Sequence, residues 1–254
     1  MEARVLEVLE PSSERIEARC QHFGVCGGCV WQNLSYEKQL FYKAKQVRET
    51  LDHLGDLRDF ELLPIIGCVE PWFYRNKMEY SFGMSQSGEL QLGLHLPGRY
   101  EQILHLQNCY LLSEESDEIR SAVYRFCLGQ KLPAYHYRRN EGFLRNLQIR
   151  EGKNTKEVLV NLVTAALIPS FSSKAFVEEV LACQNNFLAK KIVSIFWTKV
   201  AVQPGKKTAV EATLLWGKSC LEEKLQLNDL SLQFLIHPLS FFQTNTKQAE
   251  RLYG

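Results

Sequence analysis

RCQHFGVCGGC, residues 19–29, places Cys20, Cys26 and Cys29 within ten residues near the start of the chain. Cysteine binds metals as a thiolate, and three thiolates that converge on one point repel each other unless a cation lies between them. The glycines between the cysteines allow positive φ and a close backbone approach. The stretch therefore predicts a metal site that needs a fourth ligand from elsewhere in the chain.

The composition of the 254 residues is typical of a globular protein, with 45% hydrophobic and 23% charged residues. The net charge is +1, so a nucleic-acid-binding surface would have to be a local patch. The sequence contains no apolar run typical of a membrane span or a signal peptide. We therefore expect a cytoplasmic protein without a membrane partner, and no obligate protein partner is evident.

Hydrophobic spacing predicts an α+β fold with a mainly antiparallel β-sheet, flanking helices and an N-terminal cysteine-rich cluster loop. A helix is predicted over residues 35–54, where apolar residues recur every three or four positions before Gly55. Alternating patterns predict two hairpins, over 76–84 with 90–96 and over 143–150 with 157–165. Further strands are predicted over 3–10, 191–200, 208–216 and 230–237, and helices over 172–184 and after Ser113.

The fourth metal ligand is best supplied by Cys109. It lies in an irregular segment just before a helix that Ser113 caps and whose first turn is acidic. The other dispersed cysteines fall in predicted helices or at the ends of strands, where a thiol is usually a small buried hydrophobe. Spacing alone leaves both zinc and an iron–sulfur cluster open as the bound group.

Aromatic and basic residues alternate over residues 72–77, in the sequence WFYRNK. Such a mixture stacks on nucleic-acid bases and contacts phosphates, although core aromatics flanked by solubilising charges would give the same pattern. Basic residues recur further along the chain and could form one RNA-binding face. They are Arg138, Arg139, Arg145, Arg150 and the pairs at 190–191 and 206–207.

Three stretches together resemble the RumA/TrmA family of S-adenosylmethionine-dependent RNA uracil C5-methyltransferases. They are the cysteine motif of residues 20–29, YRNKMEYSF of residues 74–82 and SFFQTN of residues 240–245. The cysteine motif resembles the RumA-like branch, which acts on ribosomal RNA. The resemblance implies a 4Fe–4S cluster whose ligands are Cys20, Cys26, Cys29 and Cys109, which favours iron over zinc.

The resemblance also implies a domain organisation. Residues 1–19 would be the remnant of an N-terminal TRAM β-barrel and its linker. Residues 20–34 and 72–238 would form the iron–sulfur central domain. Residues 35–71 and 239–254 would pack on or lead into a C-terminal methyltransferase domain that the chain lacks.

The expected function is the central, iron–sulfur RNA-recognition part of an rRNA uracil C5-methyltransferase, inactive as a fragment of that enzyme. The alternative is a stand-alone zinc or iron–sulfur RNA-binding module without catalysis. The family's cysteine thiolate adds to uracil C6 so that C5 can attack the methyl group of S-adenosylmethionine. None of the eight cysteines has the sequence context of that nucleophile, so no catalytic residue is assigned.

The resemblance implies five further contacts. The Gln243 amide would hydrogen-bond S-adenosylmethionine, and Phe241 would stack near a target base that has been flipped out of its helix. Tyr74, Arg75 and Lys77 are predicted to contact RNA.

Overall fold

The computed structural model describes residues 5–166, 171–187, 189–202 and 205–254. The chain divides into two compact units. The first comprises the residues up to Gly24 together with Gly28–Cys68, and the second comprises Val25–Gly27 and Val69–Gly254. The cysteine motif is therefore shared between the two units.

The first unit is built around helix α1 (Tyr36–His53). The hydroxyl of Ser35 caps it by accepting a 3.3 Å hydrogen bond from the Lys38 amide. The Glu14 carboxylate accepts hydrogen bonds from Lys38 and from the Tyr42 hydroxyl. Together these contacts tie the start of the chain to the first half of the helix.

A seven-stranded sheet dominates the second unit, with strand order β3-β2-β1-β4-β5-β6-β7. Neighbouring strands are antiparallel except β5 and β6, which are parallel and are connected by a chain segment that contains α3 (Ser173–Ala182). This confirms a mixed helix and strand fold with a large sheet. The strands are β1 (Lys77–Met84), β2 (Leu90–Leu96), β3 (Arg99–His105), β4 (Leu144–Glu151), β5 (Glu157–Ala165), β6 (Lys191–Ala201) and β7 (Ala209–Gly217).

Helix α2 (Glu114–Gly129) packs against the β1–β2 part of the sheet. Its Tyr124 hydroxyl donates to the Leu90 carbonyl at 3.2 Å, and the buried Arg120 guanidinium lies 5.9 Å from the Tyr80 ring centroid. Arg120 also donates to the carbonyl oxygen of Leu106 at 2.6 Å. These contacts satisfy a charged group inside the core, where an unpaired charge would be costly.

A second, two-stranded sheet consists of β8 (Leu221–Leu227) and β9 (Leu230–Ile236), and helix α4 (Thr246–Tyr253) follows it. Leu221 and Ile236 pack with Leu159 and Phe196 of the large sheet in one apolar cluster. Phe242 joins this cluster. The segment that leads into α4 is thus anchored on the core.

Most predicted elements are confirmed, including both hairpins. Part of the strand predicted over 3–10 lies outside the described residues, and residues 5–10 form no strand. Strands β3 and β8 were not predicted, because β3 is a polar strand at the sheet edge and β8 buries Glu223 between Leu221 and Leu225. Among the described helices, none has the length and apolarity to cross a membrane.

Candidate functional site

Asn76 joins two of the three motifs that the sequence singled out. Its side-chain nitrogen donates to the Gln243 carbonyl at 2.7 Å and to the Thr246 hydroxyl at 2.9 Å. Its main-chain N–H donates to the Thr244 carbonyl at 2.7 Å, and its own carbonyl accepts from the Glu151 N–H at 2.8 Å. Asn76 is 4% exposed, so these hydrogen bonds are shielded from water. We call this arrangement the Asn76 clamp.

A buried carboxylate extends the Asn76 clamp. The Thr246 hydroxyl donates to Glu223 at 3.0 Å. Glu223 is fully buried and also accepts from the main-chain N–H groups of Lys153, at 2.6 Å, and Asn154, at 3.1 Å. A buried charge needs such donors to offset its lost hydration. Glu223 therefore fixes Thr246 at the start of α4.

Gln243 combines a fixed main chain with an exposed side chain. The Asn76 clamp holds its carbonyl, whereas its amide nitrogen donates to the Tyr253 hydroxyl at 3.0 Å on the surface. Two residues later, the Asn245 side chain accepts a 3.0 Å hydrogen bond from the Gln248 N–H and caps α4. The Gln243 amide is therefore on the surface, whereas the Asn245 side chain caps α4.

Phe241 and Phe242 face opposite ways. Phe242 packs on the apolar cluster, with its ring centroid 5.4 Å from that of Phe234. Phe241 is 84% exposed. An exposed ring beside an anchored one can stack on a base without losing core packing.

Arg150 fixes the backbone of residues 238–240, which lead into the motif of residues 240–245. Its guanidinium donates to the Pro238 carbonyl at 3.0 Å and to the Ser240 carbonyl. Arg150 is 3% exposed. Its inclusion among RNA-facing basic residues is therefore wrong, because a guanidinium enclosed by carbonyl groups cannot reach a phosphate.

The predicted RNA contacts Tyr74, Arg75 and Lys77 flank Asn76 and are all partly exposed. The Arg75 N–H donates to the Leu111 carbonyl at 3.0 Å, which fixes its backbone. The Lys77 ammonium lies 3.6 Å from the Glu79 carboxylate. The Asn76 clamp therefore places these three side chains on the segment that holds Gln243.

Glu151 connects the same segment to the start of α2. It is buried and accepts hydrogen bonds from the hydroxyls of Ser113 and Ser116 and from the Lys153 ammonium. Burial raises the pKa of Glu151, but Lys153, Lys190 and these donors outweigh burial and hold the pKa below its usual value. The Lys153 ammonium also donates to the Phe73 carbonyl at 2.8 Å, so the ion pair supports the segment before Tyr74.

The four cysteines predicted as ligands are divided between the units. Cys20 and Cys29 belong to the first unit, and Cys26 and Cys109 belong to the second. All four are partly exposed, and their thiols have the right chemistry for iron or zinc. Within the part of the chain that the structure describes, however, no three His, Cys, Asp or Glu side chains are gathered to hold a metal ion. The four thiols therefore fit such a group in the kind of donor they supply.

Gly27 explains how the middle of the cysteine motif is placed. Its N–H donates to the His95 carbonyl at 3.0 Å, and a Cβ at this position would lie 2.5 Å from that oxygen. A side chain would therefore collide with the backbone of β2. Gly27 fixes Cys26 within the second unit.

The sequence did not identify the residues that assemble the site. Asn76, Arg150 and Glu223 are buried polar residues whose hydrogen bonds span long distances along the chain, up to 170 residues for Asn76 and Thr246. In the sequence, the only sign of Asn76 is its place as an amide within an aromatic and basic run. Nothing in the local sequence of Glu223 distinguishes it from an exposed glutamate.

Comparisons with known proteins find RNA methyltransferases. A protein of Clostridium tetani named an uncharacterized RNA methyltransferase is 39% identical over 252 residues, which are 99% of this chain and 53% of that protein. A Caldanaerobacter subterraneus protein with the same description is 34% identical over the whole chain and 54% of its own length. The chain thus spans about half the length of the curated relatives it matches. No protein-family model matches the chain.

A solved structure is also similar. The tRNA (uracil-54, C5)-methyltransferase of Pyrococcus abyssi, in complex with S-adenosyl-L-homocysteine, matches with a TM-score of 0.66 and 27% identity. The match covers 97% of this chain and 51% of that one.

These comparisons correct the expected function. The chain was expected to be a central RNA-recognition part, inactive and distinct from the methyltransferase part, or a stand-alone metal-containing RNA-binding module. That expectation is wrong, because proteins named RNA methyltransferases align over 99–100% of the chain and not over an RNA-recognition segment alone. The expectation was based on three short motifs, and short motifs do not show how much of the chain aligns with a relative. The chain is similar throughout to RNA methyltransferases.

Proposed function

We propose that the protein is an S-adenosylmethionine-dependent RNA methyltransferase that modifies uracil at C5. The Asn76 clamp is the observation that carries this proposal, because it unites the two motifs that resemble uracil C5-methyltransferases. The names of the relatives and of the solved neighbour support the same activity. S-adenosyl-L-homocysteine in that neighbour is the product that remains after S-adenosylmethionine gives up its methyl group.

Different residues of the site would bind the cofactor and the RNA. S-adenosylmethionine supplies the methyl group when it is bound. The exposed Gln243 amide would hydrogen-bond this cofactor, and its clamped main chain would limit the entropy lost on binding. The exposed Phe241 ring would stack on a base near the flipped-out uridine.

Tyr74, Arg75 and Lys77 would bind the RNA strand beside the target. They are partly exposed and combine an aromatic ring with two cations. Because Asn76 lies between them, the RNA contacts and Gln243 would be held by one rigid unit. Ribosomal RNA is the substrate class implied by the cysteine motif, and transfer RNA is the substrate class of the solved neighbour.

The thiol that adds to uracil C6 has to be available as a thiolate. Burial raises the pKa of the Cys127 thiol far above its usual value, and it raises that of Cys183 to about 11. Neither residue is suited to be the nucleophile. The assignment of no catalytic cysteine to this chain stays a prediction.

The 4Fe–4S cluster held by Cys20, Cys26, Cys29 and Cys109 also stays a prediction, as does a cytoplasmic location. The spacing of the first three cysteines and the resemblance support the cluster. No step of the proposed chemistry depends on it. The assignments of residues 1–19, 35–71 and 239–254 to other domains likewise stay predictions.

Methyl transfer from tritiated S-adenosylmethionine tests the proposal. The purified full-length protein would be incubated in parallel with unmodified ribosomal RNA and unmodified transfer RNA, and the digested nucleosides would be separated. We expect label in 5-methyluridine from one of the two RNAs. Label only in another nucleoside, or in neither RNA, would refute the proposal.

A further inference from the structure

A cavity of about 550 Å³ lies beside the β2–β3 hairpin in the second unit. Aromatic and basic side chains dominate its lining, and none of them takes part in the Asn76 clamp. They include His95, Tyr100, Tyr135, His136, Tyr137 and Arg138. We call this cavity the tyrosine pocket. Its composition is that of sites that hold unstacked nucleic-acid bases.

Tyr100 forms a platform in the pocket. Its ring lies parallel to that of His95, with centroids 4.6 Å apart and an interplanar angle of 6°. Tyr100 is nevertheless 66% exposed, so the ring face turned away from His95 is open. An aromatic face that is backed on one side and open on the other is suited to stack a base.

His95 is held rigidly beneath this platform. Its Nδ1 donates to the Tyr100 carbonyl, and its Nε2 lies 3.1 Å from the Ser81 hydroxyl. Ser81 in turn accepts a 3.2 Å hydrogen bond from the Asn146 amide. The sheet strands β1, β2 and β4 therefore fix the plane of His95, and with it the plane of Tyr100.

Tyr137 supplies a second partly exposed ring. Its centroid lies 6.3 Å from that of Tyr100 and 5.2 Å from that of Tyr135. The Arg145 guanidinium lies 4.8 Å from the Tyr137 ring centroid and 4.3 Å from that of Tyr135. This cation–π contact orients Tyr137, which remains 44% exposed.

The charge around the pocket favours a polyanion. Arg99, Arg138 and Arg139 are exposed on the hairpin and on the turn that contribute to the pocket. Arg138 forms an ion pair with Glu101. The positive charge that could attract phosphates therefore comes from Arg99 and Arg139, together with Arg145, which contacts the rings of Tyr135 and Tyr137. The protein as a whole has a net charge of +1, so this local group of arginines is a patch and not a property of the entire surface.

We propose that the tyrosine pocket binds an unpaired base of single-stranded RNA, with the base stacked on Tyr100 and the neighbouring phosphates near Arg99 and Arg139. The proposal rests on the proposed function in that the RNA is the methylation substrate, but it concerns a second contact separate from the Asn76 clamp. A duplex offers no unstacked base, so double-stranded RNA should not use the pocket.

Binding of a fluorescein-labelled ten-nucleotide oligouridine to the full-length protein, measured by anisotropy at fixed salt, tests the proposal. Tyr100→Ala should raise Kd about tenfold, because a base loses its stacking partner. Tyr100→Phe keeps the ring and should stay within about twofold of the wild type. Arg139→Ala is a second variant that leaves the aromatic platform intact, and it should also weaken binding. Circular dichroism would verify that each variant is folded.

Trp216→Ala is the matched control. Trp216 is an aromatic residue, 37% exposed, on β7 at the opposite edge of the same sheet. Its loss should leave the Kd unchanged. A ten-base-pair RNA duplex should bind the wild type and Tyr100→Ala equally.

Methyl transfer measured on the same preparations separates the two proposals. Transfer by the wild type together with an unchanged Kd for Tyr100→Ala would overturn the pocket alone. A Kd that depends on Tyr100 without any methyl transfer would overturn the proposed function alone. Wild-type protein that binds no oligouridine, or a duplex that is as sensitive to Tyr100→Ala as the single strand, would also overturn the pocket.

Discussion

The side-chain nitrogen of Asn76 donates a 2.7 Å hydrogen bond to the main-chain oxygen of Gln243, 167 residues further along the chain. The same nitrogen bonds the hydroxyl of Thr246, so one amide holds both Gln243 and the first residue of α4. The motif of residues 74–82 therefore holds the segment that contains Gln243 through Asn76. Its residues Tyr74, Arg75 and Lys77 are partly exposed.

Asn76→Ala should disrupt the Asn76 clamp. The substitution leaves the part-buried Gln243 carbonyl and the buried Thr246 hydroxyl without the Asn76 donor, which costs about 1–3 kcal/mol of unfolding free energy. Urea denaturation measures this loss, and calorimetric titration with S-adenosylmethionine should show weaker binding. Unchanged stability and affinity would mean that the clamp does not organise the site.

Gln243→Ala should weaken the binding of S-adenosylmethionine without lowering the stability of the protein. The side chain is exposed, so the free energy of unfolding should change by no more than about 0.5 kcal/mol. The loss of a hydrogen bond to S-adenosylmethionine should raise its Kd about tenfold. Gln233→Ala, which removes another amide that is bonded on the surface, is the control and should leave the Kd unchanged. Equal affinities for Gln243→Ala and the wild type would remove Gln243 from the cofactor site.

Acid should destabilise the second unit through Glu151. Its pKa in the folded protein is depressed, because Lys153, Lys190 and the serine hydroxyls outweigh the effect of burial. A depressed pKa contributes stability that is present above the unfolded value near 4.5 and is lost as the pH falls through the folded value.

Glu151→Gln should reduce this dependence on pH, as measured by urea denaturation from pH 7 downward. It should also destabilise the protein by about 3–5 kcal/mol at neutral pH, because the buried Lys153 loses its counter-charge. Glu178→Gln, at an exposed pair with Lys174, should change neither quantity. A Glu151→Gln profile parallel to that of the wild type would contradict the assigned pKa shift.

The cysteine motif predicts iron in protein that is purified without oxygen. A 4Fe–4S cluster would give a brown protein with about four irons per chain. Cys109→Ser should abolish cluster retention, whereas Cys183→Ser should not, because Cys183 is a buried thiol of a helical segment. Colourless protein that contains one zinc would contradict the iron assignment.

The sequence was sufficient for elements whose signals are local. The hydrophobic spacing before Gly55 predicted α1, and the alternation in β1 and β2 predicted their hairpin. The short motif of residues 240–245 singled out Gln243 and Phe241, which are both exposed in the structure. These features depend on neighbours within a few residues, so a single sequence contains them.

Features that depend on distant hydrogen bonds were missed. Glu223 interrupts the apolar face of β8 with a charge, and its burial depends on donors that include residues 153, 154 and 246. The sequence pattern grouped Arg150 with RNA-binding residues. In the structure its guanidinium is bonded to the carbonyls of Pro238 and Ser240. The aromatic rings of the tyrosine pocket likewise come from two separate segments, and the sequence gives no sign that they meet.

Release of tritium from RNA labelled at uracil C5 tests the central proposal most directly. Methylation at C5 replaces the hydrogen at that position, so the full-length protein should release tritium into water in step with methyl incorporation. Release should require S-adenosylmethionine. Methyl incorporation without tritium release would place the methyl group on another atom and contradict the proposed uracil C5 chemistry.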